Sequence, residues 1–180
     1  MNTVQILDKK FKLSIPSADI NLKTREMADL INANLKGKDI VFVVVLNGAF
    51  MFAGDLLRYV HLPNHITFIK LASYAGTSTS GTVKQLIGLN EDIENKTVVI
   101  VEDIIDTGHT LDAIFGLLQG FSPAEIKIAT LLHKPGCYRF NYKIDYLGFS
   151  IPNNFVVGYG LDYNCYGRNL NDIYVLEENL

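Results

Sequence analysis

Apolar runs that end at glycines or polar turns dominate the pattern of this chain. Residues 40–46 form a continuous run of mostly β-branched residues, which is typical of a strand buried on both faces of a parallel sheet. Similar runs predict further core strands at residues 66–71, 97–101 and 126–132. Apolar residues at helical spacing predict helices at residues 49–59 and from about 110 to 119. Strands that alternate with helices indicate a parallel α/β sheet with right-handed crossovers.

The segments between and after these elements are less regular. The polar stretch at residues 73–82 cannot bury enough apolar area to order itself, so a mobile loop is predicted there. A short strand is expected at residues 83–89. The aromatic-rich region beyond Lys134 is expected to form strands at residues 155–159 and 173–176. Because such sheets bind ligands at the carboxyl ends of their strands, the chemistry is expected at that edge.

Composition narrows the class of protein. A length of 180 residues predicts one domain, and 48% hydrophobic with 19% charged residues excludes a disordered chain. A net charge of -3 argues against binding of nucleic acid through bulk positive charge. Cys137 and Cys165 form neither a disulfide framework nor a zinc motif. No secretory signal and no apolar run of the roughly 20 residues that span a membrane are present, so a cytoplasmic protein is expected.

The stretch at residues 98–110 carries the strongest chemical signal. An apolar strand leads to two adjacent carboxylates, Glu102 and Asp103, and then to Asp106 and a Thr-Gly-x-Thr turn before a helix. Backbone N–H groups, two hydroxyls and a helix amino terminus would together bind a phosphate. Carboxylates beside a phosphate need a cation or a sugar between them, and Mg²⁺ or vicinal ribose hydroxyls would meet that need. The alternative is that Glu102 and Asp103 are solvated and merely cap the next helix.

This thirteen-residue stretch resembles the phosphoribosyl-pyrophosphate (PRPP) motif of the type I phosphoribosyltransferases, most closely of their hypoxanthine-guanine branch in purine salvage. The resemblance extends from about residue 41 to residue 176. It implies an α/β fold with a parallel-sheet core, flanking helices and a small hood formed by the terminal segments, about residues 1–20 and 135–180, in one domain spanning residues 1–180. It also implies Mg²⁺-dependent transfer of the 5-phosphoribosyl group from PRPP to hypoxanthine and/or guanine, which yields IMP or GMP and pyrophosphate. The resemblance further implies a homodimer or homotetramer.

By this resemblance, Glu102 and Asp103 hold the ribose hydroxyls directly or through Mg²⁺. Asp106 is also the general base that faces N7 of the purine. The 5′-phosphate would be bound by Asp106, Thr107, Gly108, His109 and Thr110. His109 stands where several relatives carry lysine, so one phosphate contact differs here.

The resemblance assigns pyrophosphate to Leu46, Asn47, Gly48 and Arg168. Asn47 departs from the lysine or arginine that is common at its position, and the Leu46–Asn47 peptide can be cis in the family. Asp162, in the segment that ends at Arg168, would bind a second Mg²⁺. Taken alone, Asn47-Gly48 is an ordinary turn signal, and Asp162 with Arg168 could be a surface ion pair.

The purine would be recognised by Lys134, Phe155, Val156 and Asp162. The ammonium of Lys134 matches the group that reads the 6-oxo substituent, which disfavours adenine. Phe155 and Val156 could equally be ordinary strand residues. Ser73 and Tyr74 match the fixed element of the family's lid, placed at about residues 73–83, although a polar loop can also be a plain linker.

Two other functions compete with the enzyme. A regulatory module with the same motif could sense PRPP or nucleotides and bind RNA or another protein. A phosphatase with Asp103 or Asp106 as nucleophile is a weaker alternative, because the motif lacks a second aspartate two residues further on.

Overall fold

The computed structural model describes residues 3–73 and 83–177, and within them ten strands and three helices. The strands are β1 (Thr3–Ile6), β2 (Lys9–Ile15), β3 (Ile40–Val45), β4 (Asn64–Ser73), β5 (Val83–Ile87), β6 (Thr97–Ile105), β7 (Glu125–His133), β8 (Tyr146–Ser150), β9 (Val156–Val157) and β10 (Ile173–Leu176). The helices are α1 (Ser17–Asn34), α2 (Phe50–Tyr59) and α3 (His109–Gln119).

Six of these strands form the core sheet, in the order β5-β4-β3-β6-β7-β8. All neighbouring pairs are parallel except β4 and β5, so the predicted parallel α/β core is confirmed, with one antiparallel strand at its edge. The central strand β3 is buried along its whole length. Its even-numbered residues pack with α1 and α2, and its odd-numbered residues pack with α3. Both faces of β3 are therefore covered, which explains its uninterrupted apolar sequence.

The terminal segments form a second, antiparallel sheet in the order β1-β2-β10-β9. Ile6, Phe11, Val157 and Tyr174 make its small core. This sheet is the hood that the sequence implied, but its boundaries differ. Although β8 lies within the expected hood segment 135–180, it pairs with β7 in the core sheet.

Two element boundaries also differ from the sequence-based prediction. The strand expected at residues 97–101 continues to Ile105, so Glu102 and Asp103 lie inside β6 rather than beyond its end. The strand expected at residues 155–159 contains only Val156–Val157. It ends there because the backbone turns to positive φ at Gly158, Tyr159 and Gly160, which no extended strand can follow.

The expected lid lies almost wholly outside the described residues. Ser73 ends β4 and Val83 begins β5, and Tyr74 falls in the part between them that the structure does not describe. Among the described helices, none has the length and apolarity needed to cross a membrane.

Candidate active site

A cavity of about 290 Å³ opens where β6 ends and α3 begins. Its lining is continuous in sequence from Glu102 to Leu111. The stretch that carried the strongest chemical signal therefore surrounds one space at the carboxyl edge of the parallel sheet. This is the edge at which α/β sheets bind ligands.

Residues 106–110, called the phosphate loop here because the sequence predicts a phosphate site at them, have a backbone form that suits an anion. Gly108 adopts φ 90° and immediately precedes α3. The first N–H groups of a helix have no partner within the helix, so those of α3 are available to an anion at this end. Thr107 lines the cavity with them, and Thr110 lies exposed in the first turn of α3.

Aromatic side chains from the segment after β7 cover the outside of the phosphate loop. A Cβ on Gly108 would lie 2.6 Å from Cε2 of Tyr138 and 2.8 Å from Cδ2 of Phe140. The backbone N–H of Arg139 donates to the Thr107 carbonyl at 3.1 Å. Sequence reasoning missed this contact, because the aromatic-rich segment has no periodicity that indicates where it packs.

His109, which replaces a lysine of several relatives, contacts the same aromatic segment. Its imidazole is exposed and meets the Phe140 ring edge-on, with 5.3 Å between the ring centroids. The side chain is thus placed at the start of α3 by an aromatic neighbour.

Glu102 and Asp103 are the adjacent carboxylates at the end of β6, with Glu102 buried and Asp103 half-buried. Glu102 is 6% exposed, and its Oε2 atom is buried without a hydrogen-bond partner. Burial, and then the neighbouring Asp103 charge, raise the pKa of Glu102 well above its ordinary value. Burial also raises the pKa of Asp103 to about 6, although the Ile104 N–H donates to its carboxylate at 3.0 Å and lowers it. Both groups therefore gain from a nearby cation or from hydroxyl donors.

These carboxylates fit the Mg²⁺ that the resemblance implies. Carboxylate oxygen is a preferred ligand of Mg²⁺, and the unpartnered Oε2 of Glu102 is a free donor atom. No cluster of three or more His, Cys, Asp or Glu side chains that could hold a metal occurs among residues 3–73 and 83–177. Mg²⁺ is commonly held by one or two carboxylates together with substrate oxygens and water.

Replacement of Asp103 by asparagine is expected to stabilise the ligand-free protein at neutral pH. Because the folded pKa of about 6 lies above the ordinary value of 3.8, ionised Asp103 destabilises the folded state fully above pH 6 and not at all below pH 3.8. We expect the variant to melt about 3 °C higher than the unmodified protein at pH 7.5. The difference should shrink at pH 4.5, as measured by thermal denaturation without Mg²⁺. An equal difference at both pH values would contradict the assigned cause.

Lys134 and Asp106 form an ion pair at the cavity. The Lys134 side chain is 8% exposed, and its Nζ donates to Oδ2 of Asp106 at 3.0 Å. The backbone N–H of Lys134 also donates to the Ile105 carbonyl at 2.9 Å, so the end of β7 is fixed beside the end of β6. Asp106 lines the cavity, whereas Lys134 does not line it but places its buried ammonium 3.0 Å from the Asp106 carboxylate.

The Leu46–Asn47–Gly48 loop follows β3 and lies against the carboxylate of Asp103. Its Leu46–Asn47 peptide is cis, which the family allows at this position. A Cβ on Gly48 would overlap the carboxylate of Asp103, and a Cβ on Gly160 would overlap the Gly48 carbonyl. Three segments that are separate in the sequence therefore meet here: the Leu46–Gly48 loop, the end of β6 and the segment at Gly160. Both contacts need a glycine, because a Cβ at either position would overlap its neighbour.

Arg168 and Asp162 pair with each other beside this loop. Nη2 of Arg168 lies 2.6 Å from Oδ1 of Asp162, while Nη1 donates to the Gly160 carbonyl at 2.6 Å. Oδ2 of Asp162 accepts from the Cys165 N–H at 2.6 Å, so a metal at Asp162 would have to use the remaining lone pairs. After the larger effect of burial, Arg168 lowers and Asp162 raises the pKa of Asp103, because both charges lie near its carboxylate.

Phe155 and Val156 lie in the hood. The Phe155 ring is 45% exposed and packs edge-on to Tyr163, with 6.0 Å between the centroids. Val156 is buried and pairs with Val175 in the second sheet. The exposed ring could stack on a planar ligand, whereas Val156 could offer only its main chain.

A phosphate loop and adjacent carboxylates at the carboxyl edge of a parallel sheet are typical of α/β proteins that bind phosphorylated ligands. The family model of the phosphoribosyl transferase domain matches residues 18–164. The chain belongs to the phosphoribosyltransferase family.

Individual relatives agree with this assignment. The chain is 43% identical over 155 residues to the hypoxanthine phosphoribosyltransferase of Escherichia coli, covering 84% of this chain and 87% of the relative. It is 38% identical over 176 residues to the hypoxanthine-guanine phosphoribosyltransferase of Aquifex aeolicus, covering 97% and 99%. The crystal structure of a hypoxanthine phosphoribosyltransferase from Staphylococcus aureus matches with a TM-score of 0.87 at 38% identity, over 92% of this chain and 91% of that one. The implied fold is confirmed.

Proposed function

We propose that this chain is a cytoplasmic purine-salvage enzyme that transfers the 5-phosphoribosyl group of PRPP to hypoxanthine and/or guanine. The products would be IMP or GMP and pyrophosphate. The likeness to hypoxanthine and hypoxanthine-guanine phosphoribosyltransferases supports this activity. The observation that carries it is the ion pair of Lys134 and Asp106 beside the phosphate loop. An ammonium can donate to the 6-oxo group of a purine, and a carboxylate can accept the proton of a ring nitrogen.

In this proposal the phosphate loop holds the 5′-phosphate of PRPP. N–H groups at the start of α3 and the hydroxyls of Thr107 and Thr110 supply donors without a full cation. Glu102 and Asp103 accept from the ribose hydroxyls at the floor of the cavity. Arg168 reaches the pyrophosphate side, where its planar guanidinium can make two parallel bonds to an anion.

The base is recognised by donors and by stacking. The Lys134 ammonium can donate a hydrogen bond to a 6-oxo group, but it has no acceptor for the N–H of the 6-amino group of adenine. The exposed Phe155 ring supplies a face on which the purine can stack. Asp106, held 3.0 Å from Lys134, receives the proton that leaves N7 as the base bonds to C1 of the ribose.

The site must also stabilise the charges that separate in the transition state, which contributes more to the rate than the proton transfer does. Positive charge grows on the ribose as pyrophosphate departs, and the carboxylates of Glu102 and Asp103 lie at that end of the cavity. Mg²⁺, when bound, neutralises the negative charge of the leaving pyrophosphate. Electrostatic stabilisation and positioning therefore supply most of the acceleration, with proton transfer a smaller part.

Asp106→Asn is expected to keep PRPP binding while kcat falls about a thousandfold. The amide oxygen can still accept from Lys134, but the amide does not take a proton. Calorimetry should give an unchanged PRPP affinity, and a spectrophotometric assay with hypoxanthine, guanine, xanthine and adenine in turn gives the rates. Asp19→Asn, at an exposed position in α1, is the matched control. Full single-turnover activity of Asp106→Asn would remove Asp106 from the mechanism, and PRPP binding by the unmodified protein without turnover would favour the regulatory module.

The expected homodimer or homotetramer stays a prediction. Phe50 on α2, and Ile66 and Phe68 on β4, expose large apolar side chains that an assembly would cover. Ala49 and Phe52 are buried instead in the core of the chain itself.

A further inference from the structure

The arginine loop, residues 158–168, carries both Asp162 and Arg168 on an unusual backbone turn. Gly158, Tyr159 and Gly160 have φ values of 99°, 49° and 100°. Positive φ is ordinary for glycine but rare for tyrosine, and it persists only where the surroundings require that side chain. The positive φ of Tyr159 therefore needs an explanation, whereas that of its two glycine neighbours does not.

The hydroxyl of Tyr159 supplies that explanation. Tyr159 is 4% exposed, and its Oη donates to Oδ2 of Asp55 on α2 at 2.6 Å. Burial and this bond raise the pKa of Tyr159, so the hydroxyl remains a donor at neutral pH. Within the part of the chain that the structure describes, this is the one side-chain hydrogen bond between the arginine loop and α2.

Each partner of that bond belongs to a segment that reaches the side of the cavity where pyrophosphate would bind. On one side, α2 continues directly from the Leu46–Gly48 loop, because the Phe50 N–H donates to the Asn47 carbonyl at 3.4 Å. On the other side, the Gly160 N–H donates to the Arg168 carbonyl at 2.9 Å, and the Arg168 guanidinium returns a bond to the Gly160 carbonyl. Gly160 also lies against the Gly48 carbonyl.

We propose that Tyr159 and Asp55 are positioning residues that hold the arginine loop in register with the Leu46–Gly48 loop, so that Arg168 and the Gly48 main chain meet pyrophosphate together. This inference rests on the proposed function for the identity of the anion. Asn47 stands where a cation is common in the family, so Arg168 bears more of the pyrophosphate charge, and its placement matters correspondingly more. The phosphate loop and Lys134 lie on other segments and do not depend on this bond.

The test uses the reverse reaction, in which pyrophosphate and IMP are separate substrates. Tyr159→Phe keeps the ring and removes the bond, and we expect it to raise the KM for pyrophosphate about tenfold while the KM for IMP changes less than about twofold. Asp55→Ala, on the partly exposed side of the bond, should do the same. Asp55→Asn should restore pyrophosphate KM to within about threefold of the unmodified protein, because its amide oxygen still accepts.

Tyr146→Phe is the matched control. Tyr146 is 2% exposed in β8, and its hydroxyl lies near Asn34 and Lys127, away from the arginine loop. A purely structural role for Tyr159 would lower the melting temperature and raise both KM values, which would overturn the proposal. An unchanged pyrophosphate KM in Tyr159→Phe would overturn it as well.

Failure of the proposed function would be visible in the unmodified protein before any variant is compared. If that protein turns over no purine, calorimetry with Mg²⁺-pyrophosphate on the unmodified protein and on Tyr159→Phe decides the inference. About tenfold weaker binding by the variant supports it, and equal binding overturns it.

Discussion

Alanine in place of Gly48 is expected to lower kcat/KM for PRPP about a hundredfold, which corresponds to about 2.7 kcal/mol of transition-state stabilisation. The added Cβ would overlap the carboxylate of Asp103, so that side chain must move away from its place in the cavity. Gly48 is not among the glycines with positive φ. The effect of alanine therefore comes from the steric contact with Asp103 and not from backbone strain. The carboxylate that would hold the ribose or Mg²⁺ is displaced by one methyl group.

Gly54→Ala gives a matched control for this variant. Gly54 lies in α2, shortly after the same loop, and a Cβ there meets nothing within 4 Å. That change should leave kcat/KM unaltered and stabilise the helix by up to about 1 kcal/mol. Steady-state kinetics with varied PRPP, together with thermal melts of both variants, makes the comparison. Normal PRPP kinetics in a folded Gly48→Ala protein would contradict the assigned contact.

The central strands of the core sheet could be predicted from sequence because they are buried on both faces, whereas the partly exposed edge strand β8 was not predicted. β3 and the first part of β6 carry apolar residues without interruption, and each alternate residue meets a different helical layer. That pattern needs no knowledge of distant contacts. The predicted core strands and the helices α2 and α3 were therefore confirmed, although β6 runs four residues further than predicted.

Helix α1 was not predicted because its sequence is only weakly amphipathic. Its buried face includes a threonine, Thr24, at a position where an apolar residue is expected. Its outer face includes Leu22 and Leu30, which are 61% and 53% exposed. With a polar residue inside and leucines outside, the helical period of its apolar residues is weak.

The candidate site divides in the same way. Residues 102–110 could be identified because the whole phosphate loop is contiguous, so one motif contains it. The contacts of Gly48 with Asp103, and of Tyr159 with Asp55, join residues that are far apart in the chain. Only the folded backbone brings these pairs together, and no local pattern marks either of them.

Lys134→Met is expected to lower kcat/KM for hypoxanthine about a thousandfold, because the variant loses the charged donor to the 6-oxo group and the cation that pairs with Asp106. Lys134 is 6% exposed, and Asp106 has lost its partner at 3.0 Å in this variant. The thioether has about the right length to fill the space but donates no hydrogen bond to a 6-oxo group. The variant should also lose discrimination against adenine, whose low kcat/KM should change little.

Steady-state assays with hypoxanthine and adenine measure both effects, and calorimetry measures PRPP affinity. PRPP binding should stay within about threefold, since the proposed donors of the phosphate loop are main-chain groups at the start of α3 and the hydroxyls of Thr107 and Thr110, none of which is changed. Lys143→Met is the control, because Lys143 is 85% exposed and its pair with Asp145 at 3.5 Å is a surface ion pair. If Lys134→Met lost PRPP binding as severely as hypoxanthine turnover, Lys134 would be holding the cavity together rather than reading the base. A selective loss of the 6-oxopurine instead assigns the ammonium to substrate recognition.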